Sequence, residues 1–357
     1  MAVVSYKCPR CGAPLEYTPE SGRFECAYCG GSYTENDLKE FQPATASEQT
    51  VSVEEVPAQE GSGDGEEVLL YTCPSCGARI VTDETTAATT CLYCHSPVVL
   101  EGRLKGKFRP DRVIPFGIGR ENAEARFLDW VGKKRYVPKG YFNSAKNDYF
   151  IGVYYPYWVL DCHTRGTYSA KANRVRVWRT DDDEYTETSV YHISREGDIV
   201  FNDLSRCALN GDGRTLADGV MPFDLRESVP FSMPYLSGFR AEMRNIETEE
   251  MAPVFQQDIV EYSREILRRT VSGYDSVYDE QCGSVVSDRQ FEYALFPVWA
   301  FTYQGSDGRR YYYSMNAQTG KIAGELPLDR LKLVRDSILS GLVVAAIVIL
   351  LMGGLLF

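Results

Sequence analysis

Eight cysteines arranged in two identical spacing patterns constrain the fold of this chain more than any other feature. Each pattern is C-x2-C-x14-C-x2-C. A C-x-x-C turn presents two thiolates to one ion, and the residues between the turns suffice for a hairpin that brings the turns together. The spacing therefore predicts two tetrahedral four-sulfur sites, which suit Zn2+ as the cofactor. The predicted ligands are Cys8, Cys11, Cys26, Cys29, Cys73, Cys76, Cys91 and Cys94.

The two cysteine patterns belong to a longer internal repeat. YKCPRCGA at Tyr6–Ala13 matches YTCPSCGA at Tyr71–Ala78, and the offset between these two segments also relates the second halves of the patterns. Four thiolates close a coordination sphere, so the predicted zinc sites are structural rather than catalytic. Gly12 and Gly77 follow the second cysteine of each first turn, where we expect a positive φ.

Residues 91–95 read CLYCH, which is also the attachment motif of a c-type haem. The haem interpretation leaves Cys73 and Cys76 unexplained. When the two repeats are aligned, His95 falls on Gly30 rather than on a ligand. The motif is therefore interpreted as the closing turn of the second zinc site. Competition of His95 for zinc, or donation of a hydrogen bond to a thiolate, stays an open alternative.

The segment between the two patterns differs in composition from the rest of the chain. Residues 35–67 carry ten acidic residues and one basic residue, in a chain whose net charge is −12. Such a segment buries too little apolar surface to offset its ordering entropy, which predicts a flexible acidic linker. The N-terminal part thus divides into zinc ribbon 1 (residues 1–34), the linker (35–67) and zinc ribbon 2 (68–100).

Residues 101–336 are predicted to form a β-rich domain, in one piece or in two halves. Three segments predict a meander of strands, because each is rich in β-branched and aromatic residues or alternates apolar with polar residues. They are GVYYPYWVLD, RVRVWRT and YTETSVYHIS. Pro156-x-Trp158 and Pro297-x-Trp299 indicate either an internal duplication or two strands that begin with a proline. Two segments have apolar residues at helical spacing and predict helices, namely ENAEARFLDWVGKKR and TEEMAPVFQQDIVEYSREILRRTVS. The second helix has a predicted core stripe of Met251, Phe255, Ile259, Tyr262 and Ile266.

The C-terminal residues 337–357 contain no charged residue and include ILSGLVVAAIVILLMGGLLF. Twenty residues of helix span about 30 Å, which is the thickness of the hydrocarbon core of a bilayer. Arg330, Lys332 and Arg335 precede this run, so the positive-inside rule places the preceding chain in the cytoplasm. The sequence therefore predicts a tail-anchored, single-pass membrane protein whose bulk is cytoplasmic. The predicted fold class is α+β, with two small four-cysteine zinc ribbons, a β-rich domain with a few helices, and one C-terminal transmembrane helix.

Catalytic motifs are missing from the sequence, which predicts that the protein is not an enzyme. It has no G-x-S-x-G and no H-E-x-x-H, and QTGK at Gln318–Lys321 lacks the first glycine and the hydroxyl residue of a phosphate loop. Cys162 precedes His163, but adjacent side chains on a strand point to opposite faces, so Cys162 is predicted to be buried and structural. The roles of Cys207 and Cys282 are not assigned. The acidic net charge makes nucleic acid an unfavourable partner.

Several segments outside the cysteine patterns resemble one bacterial family of membrane-anchored zinc-ribbon proteins. They include IPFGIGRENAEARFLDWVGKKRYVP, VPFSMPYLSGFRAE and PVWAFTYQGSDGRRYYYSMNAQTGKIAGELP. Members are described as having a transcription-factor-IIB-type zinc ribbon, as YdjG-like, or as primosomal-helicase-like. The resemblance implies partners of the PspA type and of the SPFH-domain type in membrane-stress systems. The helicase description has no support here, because the chain has no ATP-binding loop.

These observations together favour a non-enzymatic adaptor. The expected function is a membrane-anchored, zinc-binding scaffold at the cytoplasmic face, in contact with the lipid bilayer and recruiting protein partners. The alternative is a membrane-tethered zinc-ribbon protein that binds nucleic acid.

Overall fold

Strands dominate the structure, a computed structural model that describes residues 5–41, 54–55, 69–73, 76, 79–82, 85–91, 96–104, 106–138, 150–181, 183–210, 212–304 and 309–353. The strands are β1 (Glu16–Thr18), β2 (Arg23–Glu25), β3 (Ser32–Tyr33), β4 (Glu54–Glu55), β5 (Leu69–Thr72), β6 (Arg79–Thr82), β7 (Thr86–Thr90), β8 (Pro97–Val99), β9 (Arg112–Val113), β10 (Phe150–Arg179), β11 (Glu184–Cys207), β12 (Val229–Pro230), β13 (Arg240–Glu242), β14 (Ser276–Gln304), β15 (Arg310–Asn316) and β16 (Ile322–Gly324). The helices are α1 (Glu35–Phe41), α2 (Arg120–Gly132), α3 (Asp212–Gly219), α4 (Thr248–Arg269) and α5 (Arg330–Gly353). Short 3-10 turns occur at Glu101–Leu104, Gly106–Phe108, Leu225–Glu227 and Met233–Leu236.

The predicted α+β class is wrong, because strands predominate over helices: 43% of the described residues lie in strands and 29% in helices. The physical reason is the length of β10, β11 and β14, which are 30, 24 and 29 residues long. β10 pairs along its length with β14 and forms a hairpin with β11. The large sheet has the strand order β12-β9-β14-β10-β13-β7-β8, with β11 paired to β10 and with β15 and β16 continuing from β14.

The large sheet has one buried layer on each face near its centre. Tyr154, Trp158, Leu295 and Trp299 belong to the layer that also contains the buried side chains of α2 and α4. The opposite layer contains the intervening strand residues and the side chains of α3 and the segment that follows it. This part of the sheet, with its helices, is called the body below. Beyond the body, residues 162–179, 184–201 and 276–290 of β10, β11 and β14 continue as a three-stranded extension, which is called the arm.

The body repeats one arrangement of a short strand, a helix and a long strand. The first copy consists of β9, α2 and β10, and the second consists of β13, α4 and β14. β9 pairs in parallel with β14, and β13 pairs in parallel with β10, so each short strand joins the long strand of the other copy. A single constant offset carries the buried positions of α2 onto those of α4, namely Ala123, Phe127 and Val131 onto Met251, Phe255 and Ile259.

Two tryptophans repeat the same hydrogen bond in the two copies. The indole N–H of Trp158 donates to the carbonyl oxygen of Ile246 over 2.9 Å, and that of Trp299 donates to Ile118 over 2.8 Å. Both acceptors immediately precede the N-cap residue of a helix, Gly119 for α2 and Glu247 for α4. Each tryptophan therefore fixes the start of a helix of the body.

The backbone around the two prolines repeats as well. The N–H of Ala208 donates to the carbonyl oxygen of Pro156, and that of Ala317 donates to Pro297. Pro156 lies between the β13-paired and β11-paired parts of β10, and Pro297 lies between the β9-paired and β15-paired parts of β14. A proline is tolerated there because the strand needs no N–H donor where it changes neighbours. The repeated hydrogen bonds favour the internal duplication. Neither proline begins its strand, which excludes the alternative of two strands that start with a proline.

Gly152 in β10 lies against two stacked aromatic rings, and its replacement by alanine is expected to destabilise the body. A Cβ atom there would lie 2.5 Å from Phe239 and 3.1 Å from Phe116, whose rings stack with centroids 4.0 Å apart. We expect Gly152→Ala to lower the free energy of unfolding by about 1–3 kcal/mol, as other overpacked cores do. Gly132→Ala in α2 is the control, since nothing lies within 4 Å of its Cβ position. It should stabilise by about 0.5–1 kcal/mol in urea denaturation. Equal effects of the two substitutions would contradict the assigned packing.

The predicted C-terminal tail anchor is wrong, because no helix among the described residues combines the length and apolar character that crossing a membrane requires. α5 begins with charged turns that contain Arg330, Lys332, Arg335 and Asp336. Asp336 is buried and accepts a hydrogen bond from Arg135 over 2.8 Å, which ties this end of α5 to the body. The single-pass membrane location follows from the same prediction and is wrong for the same reason.

Candidate metal centre

The first four cysteines converge in a cluster that can hold a metal ion. The sulfur atoms of Cys8, Cys11, Cys26 and Cys29 all lie within 4.8 Å of one another. Cys8 Sγ lies 3.6 Å from Cys29 Sγ, and Cys11 Sγ lies 3.5 Å from Cys26 Sγ. These distances are too long for disulfides, whose S–S bond is about 2.05 Å. They are close to the edge of about 3.8 Å that a tetrahedron of sulfurs around zinc would have.

Two backbone turns position these four sulfurs. The N–H of Gly12 donates to the carbonyl oxygen of Cys8 over 2.8 Å, and the N–H of Gly30 donates to that of Cys26 over 2.9 Å. Both glycines have positive φ, 74° and 66°, which an L side chain would strain. The expected positive φ of Gly12 is therefore confirmed, and Gly77 lies outside the described residues. Antiparallel pairing of β1 with β2 brings the two turns opposite each other.

Hydrogen bonding favours ionisation of two of the four thiols. Burial disfavours the Cys8 thiolate, but bonds from Tyr33 and from the backbone N–H groups of Arg10 and Cys11 lower its pKa to about 6. The backbone N–H of Cys29 lowers the pKa of Cys26. Although the Ala13 backbone favours a Cys11 thiolate, the sulfur of Cys26 raises the pKa of Cys11 to about 12. Four thiolates this close repel one another, and a bound cation removes that repulsion.

The first cluster is docked on the body through β1 and β2. The N–H of Tyr17 donates to the carbonyl oxygen of Ser237 over 3.1 Å, and the Ser237 hydroxyl donates to that of Leu15 over 2.5 Å. The Tyr17 ring lies edge-on to Tyr235, with centroids 5.3 Å apart, and Phe24 lies 5.7 Å from the same ring. The cluster thus shares the buried layer of the body.

A carboxylate and a phenol add polar contacts to this docking. The Tyr235 hydroxyl donates to Glu35 Oε2 of α1 over 3.3 Å. Burial, followed by the charge of Glu35, raises the pKa of Tyr235 to about 12, so the phenol stays a donor at neutral pH. Glu20 lies against Gly119, the N-cap residue of α2, where a helix favours negative charge.

The second cluster is described in three of its four predicted ligands. Cys73, Cys76 and Cys91 can hold a metal ion, since their sulfurs also lie within 4.8 Å of one another, and Cys76 Sγ is 3.8 Å from Cys91 Sγ. Cys94 and His95 lie outside the described residues. The N–H of Cys91 donates to the carbonyl oxygen of Ser96 over 3.0 Å, and the N–H of Cys26 donates to Gly31 in the aligned position of the first repeat.

The second cluster is continuous with the large sheet rather than docked on it. β7 pairs with β13 in the register Ala88 to Ala241, and the Met243 N–H donates to the Thr85 carbonyl oxygen over 2.7 Å. The predicted linker lies largely outside the described residues. Its described parts are α1 and β4, and β4 pairs with β5 of the second cluster.

The other cysteines lie apart from both clusters. Cys162 is buried and His163 on the same strand is exposed, so these two side chains lie on opposite faces as predicted. Cys207 is buried, and this burial raises its pKa to about 12. Cys282 is half-buried, and its thiol donates to the carbonyl oxygen of Val260 over 3.5 Å.

Sequence reasoning missed the residues that support the first cluster from outside the cysteine pattern. Tyr33 Oη lies 3.4 Å from Cys8 Sγ, and Tyr235, Ser237 and Phe239 form the docking surface. The one available signal was the segment VPFSMPYLSGFRAE, which contains three of these four residues.

One relative matches over nearly the whole chain. It is a protein of Bacillus subtilis (strain 168) described as "Uncharacterized protein YdjG", 30% identical over 355 residues, which cover 99% of this chain and 99% of the relative. No family model and no solved structure matches. An alignment of this extent includes both cysteine clusters, the body and the arm, and the chain accordingly belongs to the YdjG family.

Proposed function

We propose that this protein is a non-enzymatic scaffold in which two structural zinc ions hold turns that bind a protein partner. Zinc fits the first cluster because four sulfurs within 4.8 Å of one another, two pairs of them 3.5 and 3.6 Å apart, match a tetrahedral S4 site. The second cluster, completed by Cys94, follows the same sequence pattern. Four sulfurs would leave zinc no open position for water or substrate, so its contribution is to stability.

The exposed aromatic residue of the first cluster carries the proposal of a partner. Tyr28 stands between Cys26 and Cys29 in the second turn, and its side chain is 82% exposed. The repeat places Tyr93 at the same position of the second pattern. An exposed tyrosine contributes nothing to the core, whereas tyrosines held on rigid turns are frequent hot spots of protein interfaces. The docking on the body makes this turn rigid.

The family resemblance supplies candidate partners of two types. PspA-type and SPFH-domain proteins are the expected partners of YdjG-like proteins, and the proposal extends this expectation to this chain. A protein partner is favoured over nucleic acid by the net charge of −12, since affinity for a polyanion depends on Lys and Arg.

A photo-crosslinking amino acid at position 28 tests the proposed function. We expect covalent adducts with one or few proteins in living cells, identified by mass spectrometry. In a binding assay with the protein identified in this way, Tyr28→Ala should weaken binding by about tenfold or more. Metal content should be unchanged, because the Tyr28 side chain is not a ligand.

Tyr312 provides the matched control, because it is a half-exposed tyrosine of β15 outside both clusters. A crosslinker at position 312 should give no such adduct, and Tyr312→Ala should bind normally. Identical adducts at positions 28 and 312 would contradict the proposal, and so would unchanged binding by Tyr28→Ala. Adducts at position 28 that nuclease digestion removes would favour the nucleic-acid alternative.

A further inference from the structure

Both cysteine clusters contact one short segment of the body, residues 237–243, which is called the shared segment below. It contains β13 and the turn that precedes this strand. The first cluster contacts the segment at Ser237, and the second contacts it from Ala241 to Met243. Ser237 and Ala241 are at most about 14 Å apart along the chain. The two clusters therefore meet the body at nearly the same place.

The first cluster holds the start of the shared segment through β1 and the residue that precedes it. Ser237 accepts a hydrogen bond from the N–H of Tyr17 over 3.1 Å and donates one to the carbonyl oxygen of Leu15 over 2.5 Å. Ser237 is buried, so these polar groups depend on the first cluster for their partners. Gly238 follows with a φ of 94°, and a Cβ atom there would lie 3.4 Å from the Cβ atom of Glu16. The turn and β1 are therefore in close contact.

The second cluster holds the end of the shared segment through β7. Ala241 pairs with Ala88 of this strand, and the N–H of Met243 donates to the carbonyl oxygen of Thr85 over 2.7 Å. The Thr85 hydroxyl donates to Glu242 Oε2 over 2.7 Å. The residue that follows β7 is a predicted zinc ligand. The end of the shared segment is thus joined to the second metal site by one continuous strand.

The rest of the sheet fixes the shared segment over a short length. β13 is three residues long and pairs with β10 at two positions, Val153 with Arg240 and Tyr154 with Ala241. So short a ladder leaves the position of the segment dependent on the contacts at its two ends. A cluster folded by its metal orders the segment. The other cluster then binds a segment whose conformational entropy has already been lost.

We propose that zinc binding at either cluster strengthens zinc binding at the other, and that the shared segment transmits this coupling. The inference rests on the proposed function, because it requires zinc at both clusters. Coupling between two sites is commonly about 5–150-fold and is reciprocal, and contacts as few as these favour a factor of about ten. The two turns that bind the partner therefore form together over a narrow range of zinc concentration.

Zinc affinities of three full-length proteins measure the coupling. Cys91→Ser retains the first site alone, and Cys26→Ser retains the second site alone. Competition with a chromogenic zinc chelator gives one association constant for each variant and an overall two-ion constant for the wild-type protein. We expect the overall constant to exceed the product of the two single-site constants by about tenfold. Equality of the overall constant and the product would overturn the proposal.

A variant that alters the docking of the first cluster tests the route of the coupling. Tyr235→Ala/Ser237→Ala removes the ring contact with Tyr17 and the hydroxyl bond to Leu15, and it leaves all zinc ligands in place. We expect this variant to bind two zinc ions with a coupling factor of about threefold or less. A coupling factor as large as that of the wild-type protein would overturn the assigned route.

Tyr312→Ala/Ser314→Ala is the matched control on β15, with the same two residue types at the same spacing. Ser314 is also buried, and its hydroxyl also donates to a backbone carbonyl oxygen, that of Leu216, over 2.7 Å. This variant should keep the tenfold coupling of the wild-type protein. An equal loss of coupling in both double variants would show a general effect of destabilisation and would overturn the proposal.

Hydrogen exchange at single-residue resolution follows the shared segment directly. In Cys26→Ser we expect the amide of Met243 to exchange about tenfold faster than in the wild-type protein, although its acceptor Thr85 belongs to the second cluster. Amides of β14 within the body should exchange at unchanged rates. Unchanged exchange at Met243 would overturn the proposal.

Metal content distinguishes failure of this inference from failure of the proposed function. Wild-type protein that binds no zinc after reduction and zinc loading would overturn both. Wild-type protein that binds two ions independently would overturn the inference and leave the proposed function standing.

Discussion

We expect Cys26→Ser to reduce the zinc content from the proposed two ions per chain to one and to unfold residues 5–41, while the large sheet keeps its structure. This is the largest effect expected of any single substitution at the cluster. Cys26 is buried and completes the four-sulfur set, and no other described side chain is placed to substitute for it. Zinc binding contributes on the order of 10–16 kcal/mol to modules of this size, which cannot form an adequate core alone.

Metal analysis by mass spectrometry and hydrogen exchange measure this result together. Exchange protection should be lost over β1, β2 and β3 and kept over β10 and β14, whose pairing does not depend on the cluster. Cys282→Ser is the control, since this half-buried thiol lies outside both clusters. Retention of two zinc ions by Cys26→Ser would contradict the assignment of Cys26 as a ligand.

Loss of the indole of Trp299 should destabilise the body by about 3–5 kcal/mol, as expected for truncation of a large core side chain. The Trp299 ring stacks on Phe150 with centroids 5.0 Å apart and lies edge-on to Phe116 at 5.1 Å. Its N–H also satisfies the carbonyl oxygen of Ile118 at the start of α2. Trp299→Ala therefore removes packing and a buried hydrogen bond at once.

The same prediction can be tested at Trp158, the equivalent tryptophan of the other copy. Trp158→Ala should cost a similar amount, because Trp158 makes the same bond at the start of α4 and also packs on the buried guanidinium of Arg244 at 4.7 Å. Trp178→Ala at the exposed hairpin tip is the control and should change stability by no more than about 0.5 kcal/mol. Urea denaturation compares the three, and a Trp299→Ala effect as small as that of Trp178→Ala would show that the body does not depend on this contact.

Local periodicity was enough to predict α2, α4 and the β10–β11 hairpin. It failed on one side of α4, where Tyr262 and Ile266 are 41% exposed and Ser263 and Leu267 are buried in their place. The buried positions of α4 follow one another every four residues. At about 100° per residue such a stripe turns by about 40° at each step, so it winds around the helix as α4 follows the twisted arm. A fixed helical period predicts the buried residues correctly only where the surface that the helix packs against is straight.

The cysteine clusters were predictable because spacing alone encodes them, and their docking was not. Tyr17 and Ser237 are brought together by the whole fold, and no local pattern relates them. The apolar run in α5 misled for a related reason. The helix begins in charged turns that precede the run, and the Arg135–Asp336 contact involves a residue that is distant in sequence.

The exchange of short strands between the two copies has a consequence for how the chain is made. The start of α2 is held by Trp299 and by the carbonyl oxygen of Ala317, which accepts from the N–H groups of Gly117 and Ile118. During synthesis, the ribosome must therefore extend the chain beyond Ala317 before the first helix of the body receives its native partners. Contacts this distant in sequence slow folding. The first copy leaves the ribosome before the second copy is made. Until then its aromatic strand, β10, is exposed and needs protection against aggregation with other chains.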